Sequence, residues 1–135
     1  MQNEWIEFLV REKNYSLAVS ASMPDSDFLF RPSPDVWTFS ELTYHMSYSI
    51  AWMIDNYIHG DQTEWKPGVF PDSPAEVRSS LNASFELLEK TLGEWNNGKD
   101  SLEGLMKLFL HNAHHRGQAT TYLRCKGILP PEYPF

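Results

Sequence analysis

The chain has 135 residues, a hydrophobic fraction of 41% and an aromatic fraction of 14%. This length and composition are typical of a single globular domain, which we expect to span residues 1–135, and they exclude a disordered tail. The formal net charge is −7, from 11 basic and 18 acidic residues. An acidic chain repels phosphate backbones, so we expect no nucleic-acid partner.

Cysteine content and hydropathy indicate the compartment. The single cysteine, Cys125, cannot form an internal disulfide or a pair of thiolate ligands. Residues 1–12 have neither the basic start nor the apolar run of a signal peptide. No stretch approaches the roughly 18 apolar residues that a membrane span needs. We therefore expect a cytoplasmic protein with no membrane partner.

The first half of the chain predicts two helices. The first covers about residues 3–21, where apolar side chains recur at three- and four-residue spacing and Glu12 is the one polar exception. A proline-rich loop follows. The second helix begins with a capping box, in which Thr38 accepts from the backbone of Glu41 and Glu41 reaches back. It then continues to a stop at Gly60.

The second half predicts two more helices. Ser73 is a helix cap, Pro74 occupies the first helical position and Glu76 completes a second capping box. This third helix is expected to end near Asn97-Gly98. The fourth is expected to start near Asp100 or Ser101 and to run to Lys126. Four amphipathic helices in a small domain predict an all-α fold, a four-helix bundle.

The fourth helix carries two apolar stripes on nearly opposite sides. The first consists of Leu102, Met106, Phe109, Ala113, Gly117 and Thr120. The second consists of Gly104, Leu108, His111, His115, Ala119 and Tyr122. A helix that is apolar on both sides is central or lies at a subunit interface. We expect one stripe to pack in the bundle or in a dimer, and the other to close a metal cleft.

His111 and His115 form a candidate metal-binding pair. Residues four apart on a helix point about 40° from each other, so both imidazoles can reach one ion. The pair alone is a weak signal, because a chance arrangement of five histidines in this chain produces such a spacing roughly one time in five or six. His114 is an alternative partner, because it lies three residues after His111.

A bundle builds metal sites from facing helices, so a third ligand should come from another helix. His45 lies in the middle of the second helix, beside its apolar stripe, where a side chain can line an interior cleft. His59 lies 14 residues further along, about 21 Å along the helix axis. We therefore expect His59 to be exposed near the helix end and outside the site.

Two segments carry a resemblance to a known family. They are Trp37-Thr38-Phe39-Ser40-Glu41-Leu42 ahead of His45, and His111-x-x-x-His115-Arg116-Gly117-Gln118 near the end. With the order of helices and the ending Leu123-Arg124 to Gly127, they make nearly the whole chain resemble the DinB/YfiT-like superfamily of bacterial four-helix proteins. The HxxxHRGQ segment is the most specific part.

The resemblance implies a DinB/YfiT-like four-helix bundle with a three-histidine site for a divalent metal ion. It assigns His45, His111 and His115 as the ligands, with zinc or nickel as the favoured ion, and leaves His114 outside. It also implies a homodimer. Characterised members use the metal to activate a low-molecular-weight thiol, such as mycothiol or bacillithiol, for transfer or isomerisation.

Three neutral imidazoles leave open positions on an ion, which is typical of a catalytic site. The leading hypothesis is metal-assisted thiol transfer, because a coordinating cation stabilises the nucleophilic thiolate. Hydrolysis is the alternative reaction, since a metal ion lowers the pKa of its water to about 7. A non-catalytic metal- or ligand-binding bundle is the third hypothesis. A deep cleft with aromatic walls would favour an enzyme.

Three further residues are candidates for supporting roles. Gln118 lies on nearly the same face as His115 and can hydrogen-bond a ligand imidazole, or it is a helix-packing amide. Glu41 precedes His45 by one turn and can support the site or act as a base, although the capping role is favoured. Arg116 can pair with an anionic cosubstrate, although a surface ion pair is the favoured interpretation.

Overall fold

The computed structural model describes the backbone of residues 2–96 and 99–135. Its four main helices are α1 (Gln2–Ser22), α2 (Phe39–Met53), α3 (Pro74–Gly93) and α4 (Lys99–Cys125). A short 3-10 turn at Asp25–Asp27 follows α1, and a π-helical segment at Ile54–Ile58 continues α2. No strand occurs in the described ranges. The predicted all-α four-helix class is confirmed.

The predicted start of α2 is confirmed in detail. The Thr38 hydroxyl accepts from the Glu41 N–H at 3.1 Å, and the Glu41 carboxylate accepts from the Thr38 N–H at 2.7 Å. At α3 the Ser73 hydroxyl accepts from the Glu76 N–H at 3.2 Å, as predicted. The Glu76 carboxylate, however, accepts from the Ser73 hydroxyl at 3.1 Å rather than from the Ser73 backbone. The second capping box is therefore only half formed.

The helix ends differ from prediction at two places. α3 ends at Gly93, earlier than expected, and the predicted stop at Asn97-Gly98 lies outside the described residues. The second helix does extend close to Gly60, but its last five residues are π-helical, with the His59 N–H donating to the Ile54 carbonyl at 2.9 Å. Gly60 then leaves the helix with a φ of 81°, a left-handed conformation that glycine adopts without strain.

Two buried apolar clusters form the core. The first contains Leu9, Met46, Ile50, Ile54, Leu81, Phe85, Leu88, Leu92, Trp95, Leu105, Leu108 and Phe109. The second contains Tyr15, Val19, Met23, Phe28, Phe39, Leu42, Val77, Ala119, Tyr122 and Leu123. None of the helices in residues 2–96 and 99–135 has both the length and the apolar character that a membrane crossing requires.

The two apolar stripes of α4 have different neighbours. The second stripe faces α2 and its π-helical extension. The first packs against α1 at its middle, where the Phe109 ring lies 6.2 Å from Trp5 and 4.9 Å from Phe8 between centroids. Met106 of this stripe is 51% exposed. Packing inside the bundle therefore accounts for the central part of the first stripe.

Gly104 brings α4 into direct contact with the π-helical segment. A Cβ atom added at Gly104 would overlap the carbonyl group and the Cβ of Tyr57. The overlap involves backbone atoms, which cannot swing away as the end of a side chain can. The approach of the two helices at this point therefore depends on glycine. By contrast, a Cβ added at Gly117 of the same helix would meet nothing within 4 Å.

We predict that Gly104→Ala lowers the free energy of unfolding by about 1–3 kcal/mol, the usual cost of overpacking. Gly117→Ala is the matched control, and it should raise stability by up to about 1 kcal/mol because alanine favours the helix. Urea unfolding of both variants measures the two effects. Equal changes in the two variants would contradict the close contact at Tyr57.

Candidate metal centre

Three histidines meet between α2 and α4. The Nε2 atom of His111 lies 3.3 Å from Nε2 of His45 and 3.1 Å from Nε2 of His115. Two nitrogens bound to one ion at roughly 2.1 Å are about 3.0 Å apart at a right angle and about 3.4 Å apart at the tetrahedral angle. These two distances match nitrogens bound to a shared divalent ion, and with all three ligand atoms within 4.8 Å of one another the histidines can hold one.

Local structure in α2 sets the orientation of the His45 imidazole. The capping box starts α2 at Phe39, which places His45 in the second turn with its ring towards α4. The buried Ser49 hydroxyl, one turn further on, donates to the His45 carbonyl at 2.5 Å and lies 3.3 Å from its Nε2. The imidazole is thus held from its own helix as well as from the facing one.

Gln118 contacts the ring of His115 at Nδ1, the nitrogen away from His45 and His111. Its Oε1 lies 2.8 Å from Nδ1 of His115. An amide oxygen is an acceptor, so Nδ1 carries the proton and donates, which leaves the Nε2 lone pair free for a metal ion. The Glu41 carboxylate, in contrast, is engaged by the Thr38 N–H. The structure therefore gives Glu41 the capping role.

The site favours neutral imidazoles. Burial, with smaller contributions from charge on His115 and His111, lowers the pKa of His45 to about 4. Burial also lowers the pKa of His111 to about 4, with His115 and His114 adding to the effect. Burial lowers the pKa of His115 as well, although its hydrogen bond with Gln118 acts in the opposite direction. Neutral imidazole is the form that binds metal ions.

The two remaining histidines lie outside the triad. His114 is exposed, and its ring lies 4.9 Å from that of His115 between centroids. Its Nε2 faces the Gln118 side-chain nitrogen at 3.5 Å, not the three converging ring nitrogens. His59 is exposed near the end of the second helix, as expected, and its Nδ1 lies 3.8 Å from the Asp55 carboxylate.

Two half-exposed tryptophans flank the triad. The Trp37 ring lies 4.5 Å from His45 and 5.8 Å from His115 between centroids, and the Trp65 ring lies 5.6 Å from His45. No motif or spacing in the sequence predicted that these two rings would flank the site. Trp37 belongs to the family-like segment but had no assigned role, and Trp65 stands in a loop whose path no periodic pattern predicts.

A row of α2 side chains holds the Trp65 loop in place. Tyr44, Tyr48 and Trp52 recur every four residues and hydrogen-bond the loop at 2.6, 2.7 and 3.3 Å. Their partners are the Pro67 carbonyl, the Lys66 N–H and the Thr63 carbonyl. The row thereby positions Trp65 against His45. Tyr48 and Trp52 therefore support this wall from α2.

A cavity of about 530 Å³ opens beside His115. It is lined by Asp35, Val36, Trp37, His115, Gln118, Thr121 and Tyr122. The Tyr122 hydroxyl donates to the Trp37 carbonyl at 2.7 Å and so ties the loop before α2 to α4. A volume of this size suits a small-molecule ligand.

Arg116 does not take either role expected from the sequence. It is 3% exposed, and its guanidinium donates to the Glu12 carboxylate at 2.6 Å. The ion pair is buried between α4 and α1, so it is neither a surface pair nor a contact for a cosubstrate. This pairing also accounts for Glu12, the polar exception on the buried face of α1.

Comparison with known proteins supports the fold. No family model matches the chain, and no curated protein matches it either. A crystal structure of a DinB-like protein from Bacillus cereus is similar over 94% of this chain and 93% of that chain, with a TM-score of 0.78 and 19% sequence identity. The chain has the DinB-like fold. The resemblance inferred from the sequence is confirmed at this level.

The lowered histidine pKa values predict how the metal-free protein responds to acid. Between pH 6.5 and about 4 the unfolded chain binds protons that folded His45 and His111 do not bind. The free energy of unfolding should therefore fall as pH decreases through this range. In His111→Gln the fall should be smaller, whereas His59→Gln should follow wild type. Thermal unfolding at several pH values measures the slopes, and identical slopes in all three proteins would refute the account.

Proposed function

We propose that this protein is a metal-dependent enzyme that transfers a low-molecular-weight thiol. In this proposal His45, His111 and His115 hold one divalent ion, zinc or nickel, and a small-molecule thiol is the substrate. The observation that carries the proposal is the convergence of three imidazoles, with Nε2 of His111 at 3.3 Å from that of His45 and 3.1 Å from that of His115, beside a cavity large enough for a small molecule.

The donor set is suited to catalysis. Three neutral imidazoles hold an ion without filling its coordination sphere. A bound divalent ion would supply the positive charge that favours a thiolate over its thiol. Among the protein groups, Gln118 keeps the Nδ1 proton of His115 in place, and Trp37 and Trp65 limit the access of water to His45.

The cavity favours an enzyme over a non-catalytic binding module. A cleft with Gln118 and aromatic walls is the feature expected of an active site, and the lining of the cavity includes Gln118, Trp37 and Tyr122. We also propose a homodimer in the cytoplasm. The dimer is supported by two apolar side chains on the outer face of α4, since Met106 is 51% and Leu110 68% exposed.

The reaction can be tested with monochlorobimane as a generic acceptor. Transfer forms a carbon–sulfur bond and breaks the carbon–chlorine bond, so chloride leaves and the thiol proton passes to solvent. Untagged protein loaded with zinc or nickel should accelerate conjugation of bacillithiol or cysteamine, measured by fluorescence. His45→Ala should lose the acceleration, because two imidazoles hold the ion more weakly than three.

His59→Ala is the matched control for the assay, because His59 is exposed and outside the triad. It should keep the wild-type rate. A wild-type protein that retains its metal yet gives the rate of a protein-free mixture with every thiol tested would count against the proposed reaction.

A further inference from the structure

The cavity beside His115 has an aromatic and acidic lining. Trp37 and Tyr122 contribute rings, and Gln118 and Thr121 contribute uncharged polar groups. Among the described residues that line it, Asp35 is the one that carries a full charge at neutral pH. The lining therefore offers aromatic faces and a carboxylate, and it presents no basic side chain to an anion.

Three arginines close in sequence to this cavity lie outside its lining, and one of them, Arg124, lines a different cavity. Arg116 is buried against Glu12 and lines that cavity too, together with Tyr15. Arg31 lies in the loop before α2, where its guanidinium donates to the Pro34 carbonyl at 3.3 Å. Neither guanidinium is among the groups that line the cavity beside His115.

The electrostatic surroundings of Tyr122 agree with this picture. Burial raises the pKa of its hydroxyl, and the negative charge of Glu41 raises it further. Arg31 acts in the opposite direction with a smaller effect. At this hydroxyl the negative charge of Glu41 therefore outweighs the positive charge of Arg31.

We propose that the cavity binds the cationic end of the substrate, an amine or a quaternary ammonium group, against the Trp37 ring and close to Asp35. Aromatic faces attract such groups, tryptophan most strongly, and the carboxylate adds a Coulombic attraction. The proposal rests on the proposed function and narrows it: the thiol that reaches the histidine triad carries an ammonium group.

Three small thiols that differ only at the far end test this preference. Cysteamine is cationic, 2-mercaptoethanol is neutral and 3-mercaptopropionate is anionic. Each is titrated into protein loaded with Co(II), and the sulfur-to-cobalt charge-transfer absorption gives a Kd. The experiment compares the Kd of each thiol in wild type and in Asp35→Asn. Because the ratio of these two values is taken for one thiol at a time, differences in acidity between the thiols do not affect it.

We expect Asp35→Asn to raise the Kd of cysteamine by about two- to fivefold, the usual range for a partly exposed ion pair. The same substitution should lower the Kd of 3-mercaptopropionate by a similar factor and leave the Kd of 2-mercaptoethanol unchanged. Asp72→Asn is the matched control, since Asp72 is exposed and lines a separate cavity near the start of α3. It should change none of the three affinities.

Two outcomes separate this inference from the proposed function. Equal effects of Asp35→Asn on all three thiols would overturn the cationic preference while leaving the thiol site intact. A protein that holds Co(II) but shows no charge-transfer band with any thiol would overturn the proposed function. In that case benzylamine and benzyl alcohol, titrated into the same protein by calorimetry, decide the charge preference: tighter benzylamine binding sustains it, and equal binding overturns it.

Discussion

The ion pair between Glu12 and Arg116 fixes how α4 is rotated against the rest of the bundle. Each side chain is 4% exposed, and Asn112, one turn before Arg116, donates to the same carboxylate at 3.2 Å. Separating a buried pair leaves an uncompensated charge, which costs about 3–5 kcal/mol. His111 and His115 each precede one of these anchors by a single residue, roughly 100° around the helix. Holding the anchors against α1 therefore directs both imidazoles towards α2.

The metal centre lies in a polar layer between the two buried apolar clusters. On α2, His45 falls between Leu42 of the second cluster and Met46 of the first. On α4, the paired histidines fall between Leu108 and Ala119 of the same two clusters. Buried polar groups are costly unless they have partners. On the α1 side of α4, the ion pair between Glu12 and Arg116 supplies these partners. On the α2 side three ring nitrogens face one another, and because a bound ion would satisfy all three, metal binding should stabilise the fold.

Local signals in the sequence were sufficient for the helices and for the His111–His115 pair, whereas the full ligand set with His45 and without His114 came from the resemblance to the DinB/YfiT-like superfamily. Two of these signals are the Thr38 cap and the four-residue spacing of His111 and His115. Both involve residues close together in the sequence, so they can be predicted without knowledge of the fold. The burial of Arg116 cannot be predicted in this way, because its partner lies 104 residues away. The sequence shows Glu12 as a polar exception on an apolar face, but it does not say which basic residue pairs with it. The position of Trp65 depends on hydrogen bonds to a loop, which no periodic pattern specifies.

The proposed function depends above all on whether the three histidines hold one metal ion. Metal analysis by mass spectrometry of untagged protein, after incubation with zinc and nickel and removal of free metal, tests it most directly. We expect close to one ion per chain in wild type and in His114→Ala, and a large loss in His111→Ala, whose ring lies between the other two. Metal-free wild-type protein, or equal metal content in His111→Ala and His114→Ala, would contradict the account.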